Sequence, residues 1–259
     1  MPKKPINPSL FGQKPELISV NLRIKKYEFR ILVRQFLQLT EPWIQIHDLY
    51  RRYIMIAIID YGVGNIFSLC SSFGAIGEEA VLTGDPAVVR SADKLILPGV
   101  GAFEDAARKL RESGLWDVVV EETAKGKPLL GICLGMQLLF EESHEYGVHQ
   151  GLGLIPGKVV PIAPEVPAGT KIPHIGWNGL RFPADKPVSP LFDGLEEGDC
   201  VYFVHSYYAS GCGADTIATT EYFAELTAAV SKGNVYGTQF HPEKSGDVGL
   251  RILKNFAQM

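Results

Sequence analysis

The stretch KPLLGICLGMQLLFEES, Lys127–Ser143, decides the fold of this chain. It begins as a short apolar run, passes through GICLG and continues as MQLLFEE, whose apolar residues recur at helical spacing. The pattern predicts a strand, a sharp turn and a helix that extends through the second glutamate. A turn of this kind presents the side chain at its tip.

Cys133 occupies the tip of the predicted turn. Gly131 and Gly135 are small enough to let the strand and the helix come close together. A thiol at a helix N-terminus lies near unpaired backbone N–H groups, which favour its thiolate form, and the N–H of Leu134 would face the atom that the sulfur attacks. Since most free cysteines are small buried hydrophobes, Cys133 alone leaves a structural role equally open.

A second stretch, NVYGTQFHPEKS (Asn234–Ser245), carries the residue types that a nucleophilic cysteine requires. Its strand-like apolar run ends in His241, with Glu243 two residues later. A base must accept the thiol proton, and a third group must orient that base. A single histidine is more often structural, but the two stretches together favour a Cys-His-Glu catalytic group.

The segments before the turn alternate between strand and helix. IMIAIID (Ile54–Asp60) predicts a buried parallel strand, and IFSLCSSFGAIG predicts a helix closed by Gly77. AVLTGDPAVV and DKLILPGVGAF continue the alternation. We therefore expect an α/β fold with an open, mostly parallel, doubly wound sheet.

LPGVGAFEDAARKL (Leu97–Leu110) places a glycine-rich turn between a buried strand and a helix beginning near Phe103. Ligands of open α/β sheets collect at the carboxyl ends of the strands, where such a turn can direct backbone N–H groups at an oxyanion. A simple connector that needs glycine for a positive φ explains the sequence equally well.

The segment after the predicted helix changes in character. Residues 147–182 are rich in glycine, proline and short β-like pieces, which predicts a β-rich insertion of hairpins. GDCVYFVHSYYAS (Gly198–Ser210) predicts one strand with a polar, aromatic end. Its His205 lacks an acidic neighbour, so we interpret it as structural or substrate-lining. DVGLRILKNFAQM predicts a terminal amphipathic helix that docks on the sheet.

Composition excludes several classes of protein. The chain has 259 residues and no apolar run approaching the roughly 18 residues that span a bilayer. Its four cysteines form no C-x-x-C pair, which favours a reducing, cytoplasmic compartment and structural roles for Cys70, Cys200 and Cys212. The histidines are scattered, so we expect no metal and no cofactor.

Residues 1–54 differ from the remainder in charge. They hold ten Lys and Arg against four Asp and Glu, whereas residues 55–259 have a net charge of −10. A targeting segment, a nucleic-acid or partner arm, and an upstream start of translation are the alternatives. Acidic residues and little serine disfavour a transit peptide, and no recognised motif supports nucleic-acid binding. We therefore favour an upstream start of translation and interpret residues 1–54 as a poorly ordered, non-catalytic extension before Met55.

GICLGMQ together with QFHPEKS resembles the class I glutamine amidotransferases. LPGVGAF, PHIGWN and FVHSYY narrow the resemblance to the glutaminase subunits of imidazole glycerol phosphate synthases, from Met55 to the C-terminus. The resemblance implies that the thiolate attacks the side-chain amide of glutamine and that His241, held by Glu243, protonates the departing ammonia. It also implies a heterodimer with a separate cyclase subunit, which uses the ammonia in histidine biosynthesis to make imidazole glycerol phosphate and an aminoimidazole carboxamide ribonucleotide.

The same resemblance implies roles for further residues. The oxyanion donors would be Leu134 and a turn formed by Gly99, Val100 and Gly101. The residues expected along the bound glutamine are Gln137, His205, Ser206 and Tyr207. Those expected at the cyclase interface are Asn65, Trp177, Asn178 and Lys244.

Three other functions stay open on the residues alone. A glutaminase serving another synthase typically has histidine where Met136 stands. A cysteine peptidase or γ-glutamyl hydrolase on the same architecture would act without a partner. A non-catalytic binding subunit would not need Cys133, His241 and Glu243 together. The resemblance implies a small-molecule substrate, glutamine. We expect no nucleic-acid partner and no membrane partner.

Overall fold

A computed structural model of the chain describes residues 54–259. The strands, in chain order, are β1 (Ile56–Ile59), β2 (Ala80–Thr83), β3 (Lys94–Gly99), β4 (Leu129–Cys133), β5 (Glu142–Ser143), β6 (His149–Gln150), β7 (Lys158–Pro161), β8 (His174–Gly179), β9 (Cys200–His205), β10 (Tyr207–Ser210), β11 (Thr216–Glu221), β12 (Glu225–Lys232) and β13 (Val235–Thr238). The α-helices are α1 (Ile66–Ala75), α2 (Pro86–Ser91), α3 (Phe103–Glu112), α4 (Leu115–Ala124), α5 (Leu134–Gln137) and α6 (Gly246–Gln258). Short 3₁₀ turns cover Pro190–Phe192 and Pro242–Lys244.

The main sheet has seven strands in the order β11-β12-β13-β4-β3-β1-β2. The five strands from β13 to β2 pair in parallel, while β11 and β12 continue the sheet in antiparallel fashion. The predicted α/β class with an open, mostly parallel sheet is confirmed. Strands β4 and β13 are neighbours, so the two stretches singled out in the sequence end side by side.

Helices cover both faces of this sheet, as a parallel sheet of buried strands requires. Helix α1 packs against α6, whereas α2 and α3 both pack against α4. Ile58, Ile96 and Leu130 of the central strands belong to one fully buried cluster with Phe256 of α6. The amphipathic pattern near the C-terminus therefore correctly predicted a terminal helix that docks on the sheet.

The β-rich insertion after the nucleophile turn is also confirmed. Strands β5, β6, β7 and β10 form a four-stranded sheet in the order β10-β7-β5-β6, and β8 pairs with β9 in a separate antiparallel ribbon. Residues of β7, β9 and β10 lie above the carboxyl ends of β3 and β4 and enclose the space there.

The helix predicted to continue through MQLLFEE is wrong in its extent. Helix α5 ends at Gln137, and Glu142 already belongs to β5. The loop that follows β6 recruits the carbonyls that a longer helix would use: the Leu138 carbonyl accepts from Leu152 at 2.8 Å and the Phe140 carbonyl from Gly153 at 3.0 Å. The helical spacing of the apolar residues instead serves burial, since Leu139 and Phe140 are fully buried.

The single strand predicted for Gly198–Ser210 is also wrong. Strand β9 pairs with β8 through His205, and β10 pairs with β7 from Tyr207 onwards. Ser206 separates them, and its carbonyl accepts a hydrogen bond from the Ile162 N–H at 2.9 Å. The change of partner sheet at one residue leaves no periodic signal in the sequence.

Two expectations concern the chain as a whole. The interpretation of residues 1–54 as an extension falls, except for Ile54, outside the described residues. Within residues 54–259, no helix is long and apolar enough to cross a membrane. Cys70, Cys133, Cys200 and Cys212 are all unpaired thiols.

Candidate active site

Cys133 lies at the junction of β4 and α5. Its φ of +55° and ψ of −112° are unusual for a residue other than glycine, and strain of this kind persists where the surrounding structure imposes it. The register of β3 and β4 sets Gly99 opposite Cys133. The glycine-rich turn after β3 is thus held beside the sulfur.

Close backbone packing explains the two glycines around Cys133. A Cβ at Gly135 would lie 1.8 Å from the Leu97 carbonyl oxygen, and one at Gly131 would lie 2.6 Å from the Gly135 carbonyl oxygen. No side chain fits in either place. The turn can reach its strained shape because both positions are glycine.

His241 and Glu243 follow β13 and are almost fully buried, with side chains 2% and 3% exposed. His241 Nδ1 lies 2.8 Å from Glu243 Oε1, and the Ser245 hydroxyl donates to the His241 carbonyl at 2.6 Å. Because Nδ1 is committed to the carboxylate, Nε2 is the ring nitrogen left for Cys133. The arrangement orients the imidazole as a general base or acid.

The protonation of His241 depends on these two neighbours. Burial alone would lower the pKa of His241, but hydrogen bonds and negative charge from Cys133 and Glu243 outweigh burial and raise the pKa from 6.5 to about 10. The two neighbours therefore favour the charged imidazolium form of His241, the form expected beside a nucleophilic cysteine.

A cavity of about 550 Å³ opens above the sulfur. Its lining contains nine residues selected from the sequence: Val100, Gly101, Cys133, Leu134, Gln137, His205, Ser206, Tyr207 and His241. Gly99 is buried beneath the turn, and Glu243 lies behind His241 rather than in the lining. The volume suits a small polar molecule.

The remaining sequence-selected residues lie outside this cavity. Trp177 is 54% exposed, and its ring contacts Tyr202 with centroids 6.0 Å apart. Lys244 Nζ lies 5.6 Å from the centroid of the same Tyr202 ring. Trp177 and Lys244 thus share one partly exposed aromatic residue, Tyr202. Asn65 is the residue before α1.

Asn178 has intramolecular partners for both ends of its amide. Its Oδ1 lies 2.7 Å from His174 Nε2, and its Nδ2 donates to the Glu221 carbonyl at 2.9 Å. His174 in turn lies 3.0 Å from His205 Nε2. Burial lowers the pKa of His205 to about 3, and its two ring nitrogens contact His174 and the Tyr207 carbonyl, so this ring is too weakly basic to act as a second catalytic base.

Sequence reasoning missed four residues near the site. Tyr61 donates its hydroxyl to the Pro98 carbonyl at 2.7 Å beneath the glycine-rich turn, and burial, with a contribution from Cys133, raises its pKa far above the usual value. Glu145 lines the cavity and accepts from the Phe103 N–H at 2.5 Å. His174 and Gln239 are fully buried. Gln239 and His174 both lie in stretches quoted from the sequence, QFHPEKS and PHIGWN, which could have drawn attention to them.

Within residues 54–259, no group of three or more His, Cys, Asp and Glu side chains is arranged to hold a metal ion. The polar side chains that line the cavity are the thiol of Cys133, the imidazoles of His205 and His241, one amide, one carboxylate and the hydroxyls of Ser206, Tyr146 and Tyr207.

Comparisons with known proteins agree with this geometry. The family model "Glutamine amidotransferase class-I" matches residues 57–259. The imidazole glycerol phosphate synthase subunit HisH of Geobacillus sp. (strain WCH70) is 51% identical over 208 residues, which cover 79% of this chain and 97% of that relative. HisH of Syntrophotalea carbinolica is 50% identical over 209 residues, 79% of this chain and 100% of the relative.

A solved glutamine amidotransferase structure shares the fold, with a TM-score of 0.61 and 21% identity over 79% of this chain and 99% of that one. The fold and the family match define the class, since the chain belongs to the class I glutamine amidotransferases. Within that class it is a member of the HisH group, the glutaminase subunits of imidazole glycerol phosphate synthase in histidine biosynthesis.

Proposed function

We propose that Cys133, His241 and Glu243 hydrolyse the side-chain amide of glutamine and that the ammonia passes to a separate cyclase subunit. The observation that carries the first part is the buried Cys-His-Glu arrangement at the carboxyl ends of β4 and β13. In this arrangement His241 Nδ1 lies 2.8 Å from Glu243 Oε1, and Cys133 and His241 line a cavity suited to a small molecule.

In the first half of the reaction, the Cys133 thiolate attacks the amide carbon and a C–S bond forms. The carbonyl oxygen becomes an oxyanion, for which the Leu134 N–H and the turn Gly99–Gly101 are the nearby backbone donors. His241 gives its Nε2 proton to the amide nitrogen. The C–N bond then breaks, and ammonia leaves a thioester on the sulfur.

In the second half, the now neutral His241 accepts a proton from water, whose oxygen attacks the thioester carbon. The C–S bond breaks, glutamate departs, and the thiolate with its imidazolium is restored. The Glu243 carboxylate stabilises the imidazolium in both halves without itself becoming protonated.

The substrate would extend along the strand end formed by His205, Ser206 and Tyr207, with Gln137 at its side. The cavity lining includes one carboxylate, Glu145, and no lysine or arginine. We therefore place the α-ammonium group of glutamine beside the Glu145 carboxylate. Backbone N–H groups of the strand end would receive the α-carboxylate.

The partner is proposed from the relatives, whose name describes them as subunits of a synthase. The exposed Trp177 and Lys244, both against Tyr202, form a surface that such a partner could cover, with Asn65 and Asn178 as further candidates.

We also infer that residues 55–259 form the catalytic domain, and that the four unpaired cysteines suit the reducing cytoplasm.

A glutamine analogue with an electrophilic diazoketone in place of the amide tests the site directly. We expect covalent labelling of Cys133, detected by peptide mass spectrometry, and protection by glutamine. Labelling that glutamine does not slow, or that falls on Cys70 or Cys200 instead, would contradict the assignment.

A further inference from the structure

A chain of buried amides connects the proposed glutamine-binding strand to the nucleophile. Gln137 Nε2 donates to the Tyr207 carbonyl at 3.1 Å and contacts Gln239 Oε1 at 2.9 Å. Gln239 Nε2 lies 3.8 Å from Cys133 Sγ, at the long end of the N–H···S range. Gln239 is fully buried and is absent from the cavity lining, so it approaches the sulfur from behind.

The direction of every hydrogen bond in this chain is fixed by its first member. A backbone carbonyl can only accept, so the Gln137 atom beside Tyr207 is the amide nitrogen. That nitrogen also donates to Gln239, whose contacting atom must then be its oxygen. The other end of the Gln239 amide is therefore its NH₂ group, and this group faces the sulfur.

The sulfur consequently faces two donors. One is Nε2 of His241, which carries a proton while the ring is an imidazolium, and the other is the Nε2–H of Gln239. When the shared proton is on the sulfur, the S–H donates to the unprotonated Nε2 of His241; when it is on the ring, the thiolate accepts from both His241 and Gln239. Hydrogen bonds to an ionised acceptor are stronger than those to a neutral one.

We propose that Gln239 is a catalytic residue that donates a hydrogen bond to Cys133 and holds its sulfur as the thiolate. This inference rests on the proposed role of Cys133 as the nucleophile. A thioester sulfur is a poor acceptor, so the bond is lost on acylation and regained when the C–S bond breaks. Gln239 therefore also favours the departure of the thiolate in the second half of the reaction.

The test is the pH dependence of Cys133 alkylation by iodoacetamide in the full chain, followed by peptide mass spectrometry to separate Cys133 from the other thiols. In Gln239→Leu, which removes the donor, we expect the rate below neutral pH to fall about tenfold and the profile to move to higher pH. In Gln239→Glu, which keeps an acceptor for Gln137 but adds negative charge near the sulfur, we expect a larger fall.

Thr238→Val is the matched control, because Thr238 is equally buried and its hydroxyl donates to the Phe240 carbonyl at 3.2 Å, not to the sulfur. Its alkylation profile should equal that of the wild type. Folded Gln239→Leu and Gln239→Glu variants with the wild-type profile would overturn the proposal.

The wild-type chain gives an independent measurement if a variant does not fold. The ¹⁵N and ¹H resonances of the Gln239 side-chain amide should shift when Cys133 is alkylated, and unmoved resonances would overturn the proposal. Neither experiment needs glutamine or a partner. A chain that showed these effects but released no glutamate, even with the cyclase subunit and its ribonucleotide substrate, would refute the proposed function and leave the Gln239–Cys133 hydrogen bond standing.

Discussion

Cys133 and Glu243 together set the charge of the His241 imidazole. The raised pKa of His241 exists because a thiolate and a carboxylate face one buried ring from opposite sides. The ring is therefore an acid when the amide nitrogen must leave. It becomes a base once acylation has removed the negative charge from the sulfur.

Replacing Cys133 with alanine removes the nucleophile. We expect Cys133→Ala to lower glutamate release by more than about 10⁴-fold while the chain stays folded and still binds its partner, because the change removes only a buried thiol and adds no bulk. A coupled assay for glutamate, with circular dichroism as the control for folding, checks this. Substantial turnover in the folded variant would contradict the assignment of the nucleophile.

The same variant should change the titration of His241. Since burial lowers the pKa and Cys133 helps to raise it, we expect the pKa of His241 to fall below about 10 in Cys133→Ala. Histidine NMR across pH 5–11 measures it. An unchanged pKa would show that Cys133 does not contact the ring electrostatically.

The raised pKa also predicts how stability depends on pH. His241 binds its proton more tightly in the folded chain, so protonation stabilises the fold fully below about pH 6.5, its ordinary pKa, and this contribution is lost as the pH rises through about 10. Urea unfolding at pH 6, 8 and 10 should show the loss. It should be smaller in Cys133→Ala, and equal losses in both proteins would argue against this cause.

Glu243 acts on the substrate only through His241. In Glu243→Gln the ring loses the anion at 2.8 Å that orients it and stabilises its charged form. We expect kcat to fall by about 10²- to 10⁴-fold, with KM for glutamine little changed, because Glu243 is not part of the cavity lining. A variant that raises KM at constant kcat would place Glu243 in substrate binding instead.

At the scale of the elements, the junction of β4 and α5 depends on backbones that nearly touch. Gly135→Ala would place a Cβ 1.8 Å from the Leu97 carbonyl oxygen. We expect the free energy of unfolding to fall by about 3 kcal/mol or more, measured by urea denaturation. Gly74→Ala in α1 is the control: it has open space and should raise stability by about 0.5–1 kcal/mol. Equal stabilities would contradict the packing argument.

The sequence predicted those elements whose signal is local. Continuous apolar runs predicted β1, β3 and β4. The two motifs that contain Cys133 and His241 predicted that these side chains act together. The end of α5 could not be predicted, because the carbonyls after Gln137 are taken by a loop beyond β6. Gln239 could not be assigned a role either, since its meaning depends on Gln137, about a hundred positions earlier in the chain.

At the scale of the whole molecule, the described residues form one sheet-centred domain that carries the complete proposed triad. If residues 55–259 are the catalytic domain, a chain that begins at Met55 should hydrolyse glutamine as fast as the full chain and respond equally to a partner. Steady-state kinetics of the two chains, each alone and with the cyclase, measure this. A much slower shortened chain that is folded would assign a function to residues 1–54.

The insertion and the glycine-rich turn both border the cavity above the sulfur. A partner that covers Trp177 and Lys244 would therefore bind the domain that contains this turn, whose N–H groups can change direction. One oxyanion donor is worth about 10²-fold or more in rate. A turn that stayed misaligned until the partner and its substrate bind would suppress glutamine hydrolysis until the ammonia has a use.

Glutamate release from glutamine, measured for the purified chain alone and with the cyclase subunit and its ribonucleotide substrate, tests the central claim most directly. We expect weak release by the chain alone and a rise of at least about 10²-fold when both are added. Strong release alone, with no response to the cyclase, would contradict a partner-gated glutaminase and identify an independent amidase.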